Sequence, residues 1–180
     1  MHEEFNRVRT DRQTIRDREA CIGLILQTLP RENVRAAKTI LPFFAEELED
    51  AVKYRYHALL TDGISPSARR LFLRISEDEM YHFDTLGKII LAMGLNPVPP
   101  TRIHIPTVSI SSMESRPDTF AKRIIESDIR DEIAGHEKYN RAAAALPSEY
   151  FELANLLSAF AEDELMHKKA LASLVINGDL

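Results

Sequence analysis

Two copies of one short pattern limit what this chain can fold into. Asp78-Glu79-Met80-Tyr81-His82 and Asp163-Glu164-Leu165-Met166-His167 both read D-E-x-x-H, and both fall within long stretches of helical periodicity. Glu and His three residues apart share one face of a helix, so each copy offers a carboxylate and an imidazole to the same point. Stepping by threes and fours through the first stretch gives Phe72, Ile75, Glu79, His82, Leu86, Ile89 and Met93. The second gives Leu153, Leu157, Phe160, Glu164, His167, Leu171 and Leu174. Both are apolar stripes interrupted only by the Glu–His pair, at positions where leucine belongs. A buried, ionised carboxylate costs several kcal/mol unless something compensates it. Two such pairs, joined by one Glu from each of two other helices, form the ligand set of a dimetal carboxylate site inside a four-helix bundle.

Two further helical stretches supply candidates for the missing carboxylates. In the one at about 43–61, the stripe is Phe44, Glu47, Ala51, Tyr54 and Ala58, which selects Glu47. Glu46 shares its face with Asp50, Lys53 and His57, which reads as solvent-facing, and Glu49 flanks the seam. In the one at about 119–145, the stripe is Ile125, Asp128, Glu132, His136, Tyr139 and Ala143, which selects Glu132; Asp131 and Glu126 fall off it. The expected metal ligands are therefore Glu47, Glu79, His82, Glu132, Glu164 and His167. Four carboxylates against two divalent cations give a neutral buried site, with the imidazoles uncharged. A ligating imidazole passes its other N–H to a carboxylate or carbonyl. Asp78, Asp163 and Asp128 are placed for that, the alternative for Asp78 and Asp163 being a solvated helix face. Tyr54 and Tyr139 face the core, where a hydroxyl needs a partner. His2, His57 and His104 are read as surface or loop residues.

His136 lies one turn after Glu132 on the same inward face. It is either a core histidine bonded to a backbone carbonyl or to Tyr139, or a functional group that adds a nitrogen ligand or donates a proton to a molecule bound at the metals.

The rest of the chain fits one α-helical domain. At 180 residues it is long enough for one full core. An amphipathic helix at about 12–29 carries Ile15, Ile22, Ile25, Leu26 and Leu29 on one side and stops at Pro30. A short helical stretch at about 32–41 leads to Pro42, so residues 1–42 form an N-terminal helical extension and residues 43–180 the bundle. The second long helix, at about 66–93, opens at Ser65-Pro66 and closes at Gly94. The third opens at Asp118 and the fourth, at about 149–176, at Ser148. Short loops pair the first helix with the second and the third with the fourth. Between the second and third, Leu95 to Pro117 is rich in proline, and Arg102–Ile105 and Thr107–Ile110 read as extended chain. At about 3.3 Å per residue that stretch can run the length of the bundle as a single long crossover.

A net charge of −5 argues against nucleic acid or anionic membranes as partners. No apolar run approaches a bilayer span. A polar start without a secretory pattern and a lone Cys21 indicate a reduced, cytoplasmic protein with no paired-cysteine iron or zinc site.

With these residues in view, the sequence resembles the ferritin-like superfamily, in its bacterioferritin and rubrerythrin branches, over about 43–176. Asp78-Glu79-Met80-Tyr81-His82 followed by Gly94-Leu95-Asn96-Pro97 looks like the bacterioferritin second helix and its exit. Glu47 with Tyr54 seven residues on is similar to the first-helix Glu…Tyr of both branches. The resemblance implies an all-α, ferritin-like four-helix bundle with two divalent ions, iron in first place and manganese as the alternative. It implies Glu47 and Glu132 as terminal or bridging carboxylates, Glu79 and Glu164 as ligands, His82 and His167 as nitrogen ligands, and Tyr54 bonded near the metals. It also implies peroxide reduction or ferrous oxidation, with oxygen or peroxide as substrate; the alternatives are iron storage or an oxygenase acting on an organic substrate. Without a paired-cysteine module a peroxidase needs an external electron donor. Helix three lacks the additional neighbouring Glu of rubrerythrins. The end at Leu180 leaves no expected fifth helix for a storage cage. Met80 stands where bacterioferritins ligate haem, but a core or interface methionine is the commoner case and no haem is expected. A homodimer is expected, with the apolar faces of the N-terminal helices as a candidate surface.

Overall fold

The computed structural model describes residues 12–29, 33–105 and 116–178. Five α-helices carry the fold: α1 (Arg12–Thr28), α2 (Val34–Leu60), α3 (Pro66–Ala92), α4 (Pro117–Ala145) and α5 (Phe151–Asn177), the last preceded by a 3₁₀ turn at Ser148–Tyr150. No strand occurs among the described residues, and no described helix is long and apolar enough to cross a membrane. Residues 103–105 are irregular, and the remainder of the expected extended segments, from 106 to 115, lies outside the described residues.

Side-chain contacts fix the topology. Glu47, Tyr54 and His57 on α2 meet Tyr139, Glu132 and Asp128 on α4, an antiparallel order. His82 and Asp78 on α3 meet Asp163 and His167 on α5, again antiparallel. Helices α2 and α3 form one antiparallel hairpin and α4 and α5 the other, so α3 and α4 run parallel. Their connection must therefore cross the whole bundle. A 27-residue helix is about 40 Å long, and the 24 residues between Ala92 and Pro117 cover that with ease.

The turns follow local chemistry. Ser65 accepts from the Ala68 N–H at 3.1 Å, with Pro66 in the first turn. Gly94 ends the next segment at φ 82°, a conformation other residues rarely hold. Asp118 lies inside the first turn of α4 and does not cap it; the helix starts one residue earlier at Pro117. Ser148 opens the 3₁₀ turn, not α5 itself.

The helical stretches expected on either side of Pro42 are one continuous helix, α2, with the proline inside it. A proline in that place lacks the N–H that would bond the Lys38 carbonyl, and its ring crowds that carbonyl. Phe44 and Ile40 on either side are buried in the same cluster, and their packing carries the helix through. Ile22, Ile25 and Leu29 of α1 are buried against the chain's own bundle, while Leu26 is 38% exposed, outside the buried stripe. Part of the apolar face of the N-terminal helices thus packs on the chain's own core, while Leu24, Leu26 and Val34 remain exposed.

The core is divided. One apolar cluster contains Ile40, Phe44, Leu86, Ile89, Leu153, Leu157 and Phe160; the other contains Phe72, Ile75, Leu71, Ile125, Leu171 and Leu174. Between them lies a layer of buried charge.

Candidate metal centre

All six expected ligands are buried: Glu47, Glu79, His82, Glu132, Glu164 and His167 are each 7% exposed or less. They fall into two overlapping groups whose ligand atoms lie within 4.8 Å of one another. One is Glu47, Glu79, His82 and Glu164; the other is Glu79, Glu132, Glu164 and His167. Each group thus takes one histidine and one outer carboxylate and shares Glu79 and Glu164, the two glutamates of the repeated motif. The helix spacing explains this. Three-residue separation stacks each His over its Glu, and the antiparallel contact of α3 with α5 brings both motifs to one depth.

The imidazoles are oriented alike. His82 Nδ1 faces Glu79 Oε2 at 3.1 Å and Glu47 Oε2 at 3.3 Å, while its Nε2 lies 3.3 Å from Asp163 Oδ2. His167 Nδ1 faces Glu79 Oε1 at 3.1 Å and Glu132 Oε2 at 3.4 Å, with Nε2 3.5 Å from Asp78 Oδ2. Each aspartate of the motif therefore holds the histidine of the opposite copy, and both aspartates are buried, not solvated. Phe160 lies against the His82 ring at 4.0 Å between centroids. Loss of such an outer partner costs about 10–100-fold in metal affinity. Asp78→Ala should therefore weaken binding by about that factor through His167, and Asp163→Ala through His82, as read by competitive titration with a chelator.

The charges are strained without cations. Burial pushes the Glu47 carboxyl up to about 8, against the pull of His82. Burial, then Glu79, Glu132 and Glu47, raise Glu164 well above the carboxylate range. Burial also opposes the Glu79 charge, yet His167 and His82 outweigh it and hold this carboxyl below its ordinary value. Burial disfavours charge on His82 and His167 too. Glu47 for the first, and Glu79 and Glu132 for the second, overcome it and raise both. Glu132 Oε2 and His167 Nδ1 are buried and make no hydrogen bond, although they face each other. A pair of divalent cations would take up these two atoms and replace the protons that Glu47 and Glu164 otherwise retain. The donor set fits two such ions.

The outer carboxylates are held from the side. The Tyr54 hydroxyl donates to Glu132 Oε1 and the Tyr139 hydroxyl to Glu47 Oε1. Both phenols are pushed to higher pKa by burial and then by those carboxylates, so they remain donors. Plain packing, the alternative for Tyr139, is thereby replaced by a hydrogen bond to the cluster.

His136 is not in either group. Its Nδ1 lies 2.7 Å from the Ala161 carbonyl and its Nε2 3.2 Å from the Asn140 amide, so it ties α4 to α5. This is the backbone-carbonyl contact named as one of its two alternatives; one residue back along the helix, about 100° around the axis, Gly135 is the α4 residue that faces Glu164.

Three residues read as exposed or differently partnered belong to a second polar layer. His57 and Lys53 are buried at 6% and 8% exposure. His57 Nδ1 lies 2.9 Å from Asp128 Oδ2, so Asp128 serves His57 and not a ligand histidine. Lys53 lies 2.5 Å from Asp50 and 3.2 Å from Asp131. Burial opposes its charge, and Asp50, Asp128 and Asp131 more than restore it. A signal for this was present: Asp128 on a core stripe requires a buried partner, and His57 lies on the facing helix.

A cavity of about 310 Å³ between α2 and α4 is lined by Glu47, Glu132 and Glu164 and, further out, by Glu46, Glu49, Asp50, Lys53 and Asp131. It gives the cluster an open side.

Comparison with known families matches residues 44–179 to the ferritin-like domain. Neither the curated proteins nor the solved structures compared with the chain give a match.

Proposed function

This chain belongs to the ferritin-like domain family, and from that premise we propose that it is a dimetal oxidoreductase, with iron as the working metal and manganese as the alternative, that reduces peroxide or oxidises ferrous ion. Glu79 and Glu164 would hold both ions, Glu47 and His82 one of them, and Glu132 and His167 the other. When bound, such ions supply the electrons that reduce oxygen or peroxide.

The cavity reaching Glu47, Glu132 and Glu164 carries this reading, because a purely structural site is closed whereas a reactive one keeps an accessible side. The protein's own part is positional. Tyr54 and Tyr139 fix one oxygen of each outer carboxylate, the aspartates fix the rings, and the two apolar clusters keep bulk water from the remaining sides. Repeated turnover with peroxide would draw on an external electron donor.

Anaerobic loading with ferrous ion followed by stoichiometric peroxide tests this. Iron should be oxidised with one peroxide consumed per pair of ferrous ions, far faster than free ferrous ion at the same pH. Oxidation no faster than the protein-free control would refute the redox reading and leave a metal-stabilised bundle. Tyr54→Phe should keep both ions but weaken the one bound with Glu132 by roughly tenfold, the scale of one hydrogen bond to a charged group. Calorimetric titration with a redox-inert divalent ion reads this directly.

A further inference from the structure

Gly135 stands on α4 three residues after Glu132, in the wall of the cavity. A Cβ at this position would lie 2.6 Å from Glu164 Oε2, 3.2 Å from its Cδ and 3.5 Å from its Cγ. The first distance is well inside van der Waals contact. Any side chain at 135 and the present placement of the Glu164 carboxylate therefore exclude each other.

The backbone does not demand glycine here. Gly135 is within a regular helix and is not among the positive-φ glycines, which are Gly63, Gly94 and Gly178. Glycine in a helix interior is worse than alanine. What the residue provides is space, and the group that uses the space is the α5 carboxylate common to both metal groups. Glu164 Oε1 lies 3.8 Å from His82 Nδ1, on the side of the first group. Oε2, the atom a Cβ would displace, is the carboxylate's other oxygen, and Glu164 belongs also to the group of Glu132 and His167.

We propose that Gly135 is a positioning residue: its missing side chain lets Glu164 span both ion positions, and a methyl group there would confine the carboxylate to the His82 side. The inference rests on the two-ion reading. It does not require the fold to change, because the displaced atom is the far end of a flexible side chain.

Gly135→Ala, freed of metal and titrated with cobalt(II), tests this by calorimetry and by the visible absorption of the bound ion. The wild-type chain should bind two ions. The variant should keep one with affinity within about threefold and bind the other more than about tenfold more weakly. Its helical circular dichroism should be unchanged and its metal-free Tm equal or higher, since alanine favours helix. Gly87→Ala provides the comparison, because its Cβ would meet Phe44 Cε2 at 3.1 Å, a ring in the apolar core. That variant should retain both ions whatever its effect on Tm. Two unchanged affinities in Gly135→Ala would overturn the proposal while leaving the two-ion reading intact. Equal loss of both ions, or reduced helix content, would overturn it in favour of a general structural role. Fewer than two ions in the wild type would overturn both.

Discussion

Replacing Glu79 by alanine should weaken both ion positions together, by more than about a hundredfold each, beyond the range typical for losing an outer partner. The reason is its place in both ligand groups, with Oε1 toward His167 and Oε2 toward His82. Glu164→Ala should do the same, and the double variant should hold no metal after dialysis. Glu47→Ala and Glu132→Ala, by contrast, should each affect chiefly one position, because each belongs to a single group. Metal analysis of the four single variants separates shared from unshared carboxylates. Retention of both ions by the Glu79/Glu164 double variant would remove the site. Helix content should survive in every case, since alanine favours helix and the apolar clusters on either side are untouched.

The second large effect is on pH dependence. In the metal-free chain Glu47 keeps its proton up to about pH 8, whereas unfolded it ionises near 4.5. Glu164 behaves in the same direction. Over that window the native state binds more protons than the unfolded one, so stability falls as pH rises. His82 and His167 add to this: their raised pKa values contribute stability fully below about 6.5, and it is lost as pH climbs through the folded values. Glu79 acts oppositely, and its contribution is lost only in strong acid. The metal-free protein should therefore be most stable near pH 5 and lose Tm steadily between there and pH 8.5, by several degrees where each kcal/mol is worth roughly 2–4 °C for a chain of this size. Metal binding displaces those same protons, so affinity rises with pH and the gap in Tm between loaded and metal-free protein widens. Thermal scans of both forms at pH 5, 7 and 8.5 check the sign. A metal-free Tm that rose with pH would contradict the burial of these carboxylates.

The inward carboxylates were legible because helical periodicity reports direction around an axis. It separated Glu47 from Glu46 and Glu49, and Glu132 from Asp131 and Glu126; the structure places both selected residues in the cluster and leaves Glu46, Glu49 and Asp131 at the cavity. Periodicity does not say which neighbour a flanking face meets. In a four-helix bundle each helix touches two others, so the face carrying Lys53 and His57 is buried against α4, not solvated. The two alternatives for His136 stayed open for a related reason. A residue one turn beyond a ligand can point across to the neighbouring helix, here to the Ala161 carbonyl, as readily as into the site. The crossed pairing of Asp78 with His167 and Asp163 with His82 depends on the offset between α3 and α5, which no single-helix pattern contains. Pro42 reads as a boundary in any local scheme; tertiary packing of its neighbours overrides it.

The division of labour between the hairpins bears on the order in which the chain assembles. Helices α2 and α3 pack chiefly on each other, as do α4 and α5, and these contacts join neighbours in sequence. Bringing one hairpin onto the other is the long-range step, slowed by closing the crossover loop. Glu47, Glu79 and His82 come from one hairpin and Glu132, Glu164 and His167 from the other, so neither can complete a ligand group alone. Cations bound there act on docking and not on hairpin formation. They should leave early helix formation unaltered, slow the separation of the two halves, and make that separation the event at which both ions are released together.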